Sequence, residues 1–204
     1  MSRVGLALQR MGKQTIVATE RALTTHGPSL TSLRDVALVL VMRDLLARRS
    51  EAVALQVEDV ERQAAGAVVT IRRSKTDQTG EGVTLWLGRD AVTALDAWLG
   101  AAQITAGAIF RSVNKGGRLG EALTGAEVPR IFKRLAIRAG LDPSRISGQS
   151  CRVGMAQDLV AAGAELPAVM QAGRWKSPAM PARYAERPLA SRNAVARYHE
   201  RRSP

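Results

Sequence analysis

The stretch "SLRDVALVLVMRDLLARRSE", residues 32–51, constrains the fold more than any other. Apolar residues at 33, 36, 37, 40, 41 and 45 repeat as on a helix with one buried stripe. Such a helix must lie against other elements, and the chain supplies mostly further helices to receive it. "EAVALQVEDV" predicts a short second helix with Ser50 as its N-cap. Helices are also expected at "RDAVTALDAWLGAA" and "GAEVPRIFKRLAIRAG"; the latter pairs Thr124 with Glu127 at capping-box spacing and stops at Gly140. "GQSCRVGMAQDLVAAG" and "ELPAVMQAG" read as two helices joined at Gly163, each closed by a glycine, with the outline of a helix-turn-helix. Only "AVVTIRR" and "VTLWL" alternate like strands, with "TDQTGEG" as a long hairpin loop between them. The expected fold class is mainly α with a small antiparallel β-sheet (α+β). Residues 1–30 read as a short irregular or weakly helical N-terminal segment, 31–204 as one domain, and "ASRNAVARYHERR" as a basic tail helix.

Aromatic residues make up only 3% of the chain, so Ala, Val and Leu must fill the core. The longest uncharged apolar run, "VALVLVM", is far too short to span a membrane, and no membrane partner is expected. The first residues lack the apolar core and cleavage site of a signal peptide. Cys151 is the one cysteine, which excludes an internal disulfide and suits a buried small hydrophobe in a reducing compartment such as a bacterial cytoplasm. With His26 and His199 the only histidines, no zinc site of usual spacing exists, and there is no Gly-rich phosphate loop or G-x-S-x-G. No cofactor or metal is expected, so chemistry must run on Arg, Lys, Tyr and carboxylates. The formal charge of +12, with arginine supplying 25 of the 30 positive groups, points to a polyanionic partner gripped by planar guanidinium forks. A GC-rich genome explains arginine in place of lysine but not the excess of positive over negative charge.

Four clusters stand out: "ARRSE" at 47–51, "RRSKT" at 72–76, "GQSCR" at 148–152 and "GRWKSPAMPARYAE" at 173–186. The last sets the rare Tyr184 in a broken, basic stretch nine residues after Trp175. Together they resemble the tyrosine recombinase (phage integrase and Cre-like) family, over about residues 32–200. Arg48 precedes Glu51 by three, as the family's first arginine precedes an acidic residue. Lys75 lies at the predicted hairpin, where the family has its lysine. Arg152 ends a box in which Gln149 stands where histidine is usual. Trp175 and Tyr184 match the family's His or Trp and its nucleophilic tyrosine. Each residue alone has a plainer account: a solvated helix-end Arg48, Glu51 serving the helix dipole, a hairpin Lys75, packing for Trp175, Trp86 and Trp98. Their order and spacing together carry the likeness.

The resemblance implies a catalytic domain over residues 31–204 that cleaves and rejoins double-stranded DNA through a 3′-phosphotyrosyl link. Arg48 and Arg152 would stabilise the charge that grows on the non-bridging oxygens. Tyr184 would attack, Lys75 would protonate the departing 5′ oxygen, and Trp175 would donate its indole N–H, on a mobile segment aimed at the phosphate. The resemblance also implies a homo-oligomer, a tetramer on DNA, in a bacterial cytoplasm close to the nucleoid. Family members carry an N-terminal helical domain that closes a clamp around DNA; about 30 residues precede the first helix here, so weak DNA holding is expected. Gln149 donates a neutral hydrogen bond but cannot relay a proton as histidine does. Three other readings stay open: a degenerate relative that binds DNA and cleaves poorly, a type IB topoisomerase-like relaxer, and a helix-turn-helix regulator built on residues 149–173.

Overall fold

Helix α1 (Leu30–Asp44) is buried on all sides from Leu33 to Met42, so it is the axis of the domain rather than a striped surface helix. This computed structural model describes residues 29–72, 82–189 and Tyr198. The stripe at 33, 36, 37, 40 and 41 is in the core as expected, but Arg34 and Asp35 are buried with it. They are tolerated there because they satisfy each other: Arg34 donates to Asp35 at 2.6 Å, and Arg134 reaches the second carboxylate oxygen at 2.5 Å.

After α1 come α2 (Arg49–Ala54), a 3₁₀ turn (Val57–Asp59), strands β1 (Val60–Gln63), β2 (Gly66–Ile71) and β3 (Val83–Gly88), and helix α3 (Arg89–Ala102). A second hairpin of β4 (Arg111–Val113) and β5 (Leu119–Ala122) precedes α4 (Val128–Arg138), α5 (Ser150–Ala161), α6 (Leu166–Gly173) and α7 (Ala179–Leu189). The predicted α3 boundaries agree with the structure. Thr124 and Glu127 bond to each other at 2.7 Å, immediately ahead of α4.

Three expectations are corrected. The second helix ends at Ala54, because the chain from Val60 pairs with β2 in the register Val60↔Val69 and becomes an edge strand. Its N-cap is Arg48 rather than Ser50, since Glu51 reaches back to the Arg48 backbone N–H at 2.8 Å. Among the described residues the β-structure forms two sheets: β1–β2–β3 and the β4–β5 hairpin, whose turn "NKGG" breaks the pattern too early for alternation to show. Lys75, the hairpin loop, the N-terminal segment and the tail helix, Tyr198 apart, lie outside the described residues.

The main core joins α1, α3 and α4 to the inner face of the sheet, where Ala67, Val69 and Leu87 point inward. Trp98 is fully buried and donates its indole N–H to the Ile109 carbonyl at 2.9 Å. Trp86, expected to pack, is 49% exposed and lies instead over Gly66 on the outer face. A smaller cluster of Leu46, Ala156, Val160 and Val169 gathers Met155, Leu159, Trp175 and Tyr184 around α5, α6 and α7. That second cluster carries the site.

Trp98→Phe keeps most of the apolar contact but strips the Ile109 carbonyl of its donor. Urea unfolding should show a loss of about 1–3 kcal/mol, the cost of an unsatisfied buried acceptor; an unchanged midpoint would mean that bond contributes nothing.

Candidate active site

Helix α1 and helix α6 end in the same way, and both ends face one cleft. At α1, Leu46 takes φ +44°, and the N–H groups of Leu46 and Ala47 return to the carbonyls of Arg43 and Met42 at 3.1 and 3.0 Å. At α6, Arg174 takes φ +56°, and the N–H groups of Arg174 and Trp175 return to Gln171 and Met170 at 3.1 and 3.0 Å. Both are Schellman closures, normally made by glycine. The sequence expectation of closure at Gly173 is therefore off by one. Gly173 is needed for another reason: a Cβ there would overlap the Trp175 ring.

These closures set the side chains. Arg48 follows Leu46 by two residues and caps α2. Its guanidinium donates to Glu51 at 2.6 Å, and Arg174 donates to the other Glu51 oxygen at 2.6 Å. Glu51 is buried, with 2% of its side chain exposed, so its charge is held by two cations in place of water. Arg152, near the start of α5, donates to the carbonyls of Leu46 and Gly173 and stacks its guanidinium 4.3 Å from the centre of the Trp175 ring. Trp175 in turn meets Tyr184 edge to face, with ring centres 6.0 Å apart.

Tyr184 sits in helix α7 rather than in irregular chain. Pro181 falls in the first turn of α7, where its missing N–H has no intrahelical acceptor to lose. A turn of helix therefore presents the phenol. Arg48, Gln149, Arg152, Trp175 and Tyr184 all line a cleft of about 600 Å³. Glu51 lies beneath it, joined to Arg48. Gln149 is the residue before α5 and is exposed to the opening. Cys151, next to Arg152, faces the core, where burial pushes its thiol up to about 12. Sequence reasoning missed Arg174 because an arginine beside Trp175 in a basic stretch has no spacing to mark it.

The electrostatics favour an anion. Burial, then the neighbouring Arg48 and Arg174 charges, bring the Arg152 guanidinium down to about 10, against opposing help from Glu51 and Tyr184. Arg174 is lowered as well, by burial first. Arg48 and Arg174 both bond to Glu51, whereas the bonds of Arg152 are to the Leu46 and Gly173 carbonyls. Arg152 stays protonated at neutral pH but is poorly solvated, so a bound anion would relieve it. No group of acidic, Cys or His side chains among the described residues could hold a metal ion.

A family model described as the phage integrase family matches residues 13–188. Among curated proteins, the chain is 34% identical over 164 residues to an integrase/recombinase XerD homolog of Selenomonas ruminantium, covering 77% of this chain and 48% of the relative. It is 28% identical over 203 residues to the Cre recombinase of Escherichia phage P1, covering 84% of this chain and 59% of that protein. The chain thus spans about half the length of these relatives. Its fold is that of the XerH site-specific recombinase bound to palindromic difH substrate, with TM-score 0.68 at 17% identity over 93% of this chain and 51% of that one. The XerA recombinase gives 0.68 at 16% identity, over all of this chain and 63% of that one. By the extent of the family match and the identity to the XerD homolog, the chain belongs to the phage integrase family.

Proposed function

We propose that this chain is a site-specific recombinase that cleaves and rejoins double-stranded DNA, with Tyr184 as the nucleophile. One observation carries the reading: Arg48, Arg152, Trp175 and Tyr184, scattered over more than a hundred residues, line a single basic cleft. A phosphodiester repels nucleophiles, and its transition state gathers charge on the non-bridging oxygens. Arg48 and Arg152 offer two donor forks for that charge, and Glu51 fixes the direction of the first. The Tyr184 oxygen then bonds to phosphorus as the bond from phosphorus to the 5′ oxygen breaks. The phenol gives up its proton to solvent, and the 5′ oxygen takes one from Lys75 in this reading. Reversal by a 5′ hydroxyl rejoins the strand, so the bond energy is kept and no nucleotide cofactor is required. Trp175 holds Arg152 by its ring face and donates from its indole N–H. The working assembly would be a homo-oligomer on DNA in a bacterial cytoplasm.

A nicked suicide DNA substrate traps the intermediate. Wild-type protein should run as a covalent adduct on a denaturing gel, Tyr184→Phe should give none while binding DNA nearly as well, and Tyr198→Phe should behave as wild type. Loss of the adduct in Tyr198→Phe alone would move the nucleophile. DNA binding with no adduct from the wild type would point to the degenerate, binding-only relative, and relaxation without site preference to the topoisomerase-like one.

Gln149 lies at the cleft, three residues before Arg152, where one helical turn puts both on one face. Gln149→His should raise the single-turnover cleavage rate and Gln149→Ala should lower it, each by less than the ~10²-fold of a full acid–base catalyst, because Lys75 and the arginines remain. Equal rates for all three would remove position 149 from the reaction.

Binding through arginine–phosphate contacts should weaken steeply with salt. Equilibrium titrations from low to physiological ionic strength should show at least a ~10-fold fall in affinity. A flat response would argue against a DNA partner.

A further inference from the structure

Arg174 lies in the stretch that carries Trp175 and Tyr184 but is none of the residues matched to the family's site, and it does not line the cleft. Its side chain is only 7% exposed, and it spends its donors on the site's framework. One terminal nitrogen donates to Glu51 at 2.6 Å and approaches the Leu46 carbonyl at 3.5 Å; the other donates to the Leu45 carbonyl at 3.1 Å. Burying an arginine in this way is unfavourable unless its partners gain from it, and its Nε has no acceptor among the described residues. Its backbone, too, sits at φ +56°, a conformation that a side chain disfavours. Two unfavourable features coincide on one residue that joins the end of α1 to the turn before α7.

We propose that Arg174 is a positioning residue for DNA cleavage, a strap that locks the Trp175–Tyr184 segment onto the α1–α2 junction and holds Glu51 so that Glu51 can aim Arg48. The inference rests on the recombinase reading of the site, and it adds a residue that acts through Glu51 and the Leu45 and Leu46 carbonyls rather than on the phosphate. Glu51 has one oxygen on the Arg48 guanidinium and the other shared between the Arg48 backbone N–H and Arg174. Without Arg174, that carboxylate keeps its bonds to Arg48 but loses its second side-chain cation, and the two halves of the cleft lose a direct tie.

Single-turnover adduct formation, measured beside equilibrium DNA binding on the full chain, tests the strap. Arg174→Ala should slow adduct formation ~10- to 100-fold while affinity changes less than about threefold, because the lost bonds are charge-assisted and none is to DNA. Arg174→Lys keeps a cation near Glu51 without the grip on the carbonyls, and should recover part of the rate. In a Glu51→Gln background, Arg174→Ala should lose most of its effect, since the two act as a unit. A rate within about twofold of wild type, or an equal loss in both backgrounds, overturns the proposal. If wild-type protein forms no adduct, the recombinase reading fails by itself, and hydrogen exchange of the free protein decides the strap. Arg174→Ala, or Arg174→Lys if the alanine variant does not fold, should speed exchange in both 45–51 and 173–184 and leave α3 unchanged. Unchanged exchange in either segment overturns it.

Discussion

The carbonyl of Leu46 is the point on which the site is built. It accepts from Arg152 and lies within reach of Arg174, while the Leu46 side chain is buried in the small cluster beneath α5 and α7. A glycine would close α1 more easily at φ +44°, but it would empty that cluster of its leucine. The end of a helix is also the negative end of its dipole, with carbonyls that have no intrahelical donor. Turning those carbonyls toward two buried guanidinium groups satisfies both at once. The strained turn and the basic cleft are therefore one feature: the strain aims the acceptors, and the acceptors allow the cations to be buried. Strain at non-glycine residues gathers where a structure over-determines it, and two of the three such residues among the described ones flank this cleft.

Burying cations beside one another also has a chemical use. The Arg48 and Arg174 charges each act on Arg152 more strongly than the opposing pull of Glu51, whereas at Arg174 the pull of Glu51 outweighs the repulsion from Arg48. A surface arrangement of the same charges would be hydrated, and that water would have to be rearranged before a phosphate was gripped. Here burial has already removed water from Arg152, so the donors need little rearrangement when an anion arrives. The Trp175 ring covers one face of the Arg152 guanidinium and directs its edge, where the N–H groups are. The arrangement costs stability in the free protein and returns it when the charge is matched.

Much of this was legible in the sequence. The period of the α1 stripe, the α3 boundaries and the alternation of β2 and β3 are local signals, and local signals survive into the fold. Arg48 with Glu51, Gln149 with Arg152, and Trp175 with Tyr184 are visible because fixed spacings on short elements carry them. What was hidden depends on tertiary context. Arg34 and Asp35 break the α1 stripe by charge, and their burial rests partly on distant partners, Arg134 for Asp35 and the Arg111 carbonyl for Arg34. Val60 reads as helical until β2 is present to pair with it. Arg174 was missed because glycine normally makes the left-handed closure, so Gly173 drew the assignment. The overlap of a Gly173 Cβ with the Trp175 ring exists only once that ring is placed.

The choice of residues around the cleft also fixes how its charge responds to pH. Histidine is the one side chain whose ordinary titration falls between pH ~5 and ~8. No histidine lines the cleft among the described residues, and the two positions where the family resemblance would admit one hold Gln149 and Trp175. An amide and an indole do not titrate in that range. Arg152, even when brought down to about 10, keeps its proton through it. Among the described residues, the cleft's hold on a phosphate therefore does not rest on an imidazole, and the groups that move protons in the reaction are others. In the proposed mechanism those are Tyr184 and Lys75, so binding and chemistry are separated by residue type. The aromatic Trp175 belongs to both, because it stacks on Arg152, the proposed phosphate-binding cation, and packs against Tyr184, the proposed nucleophile.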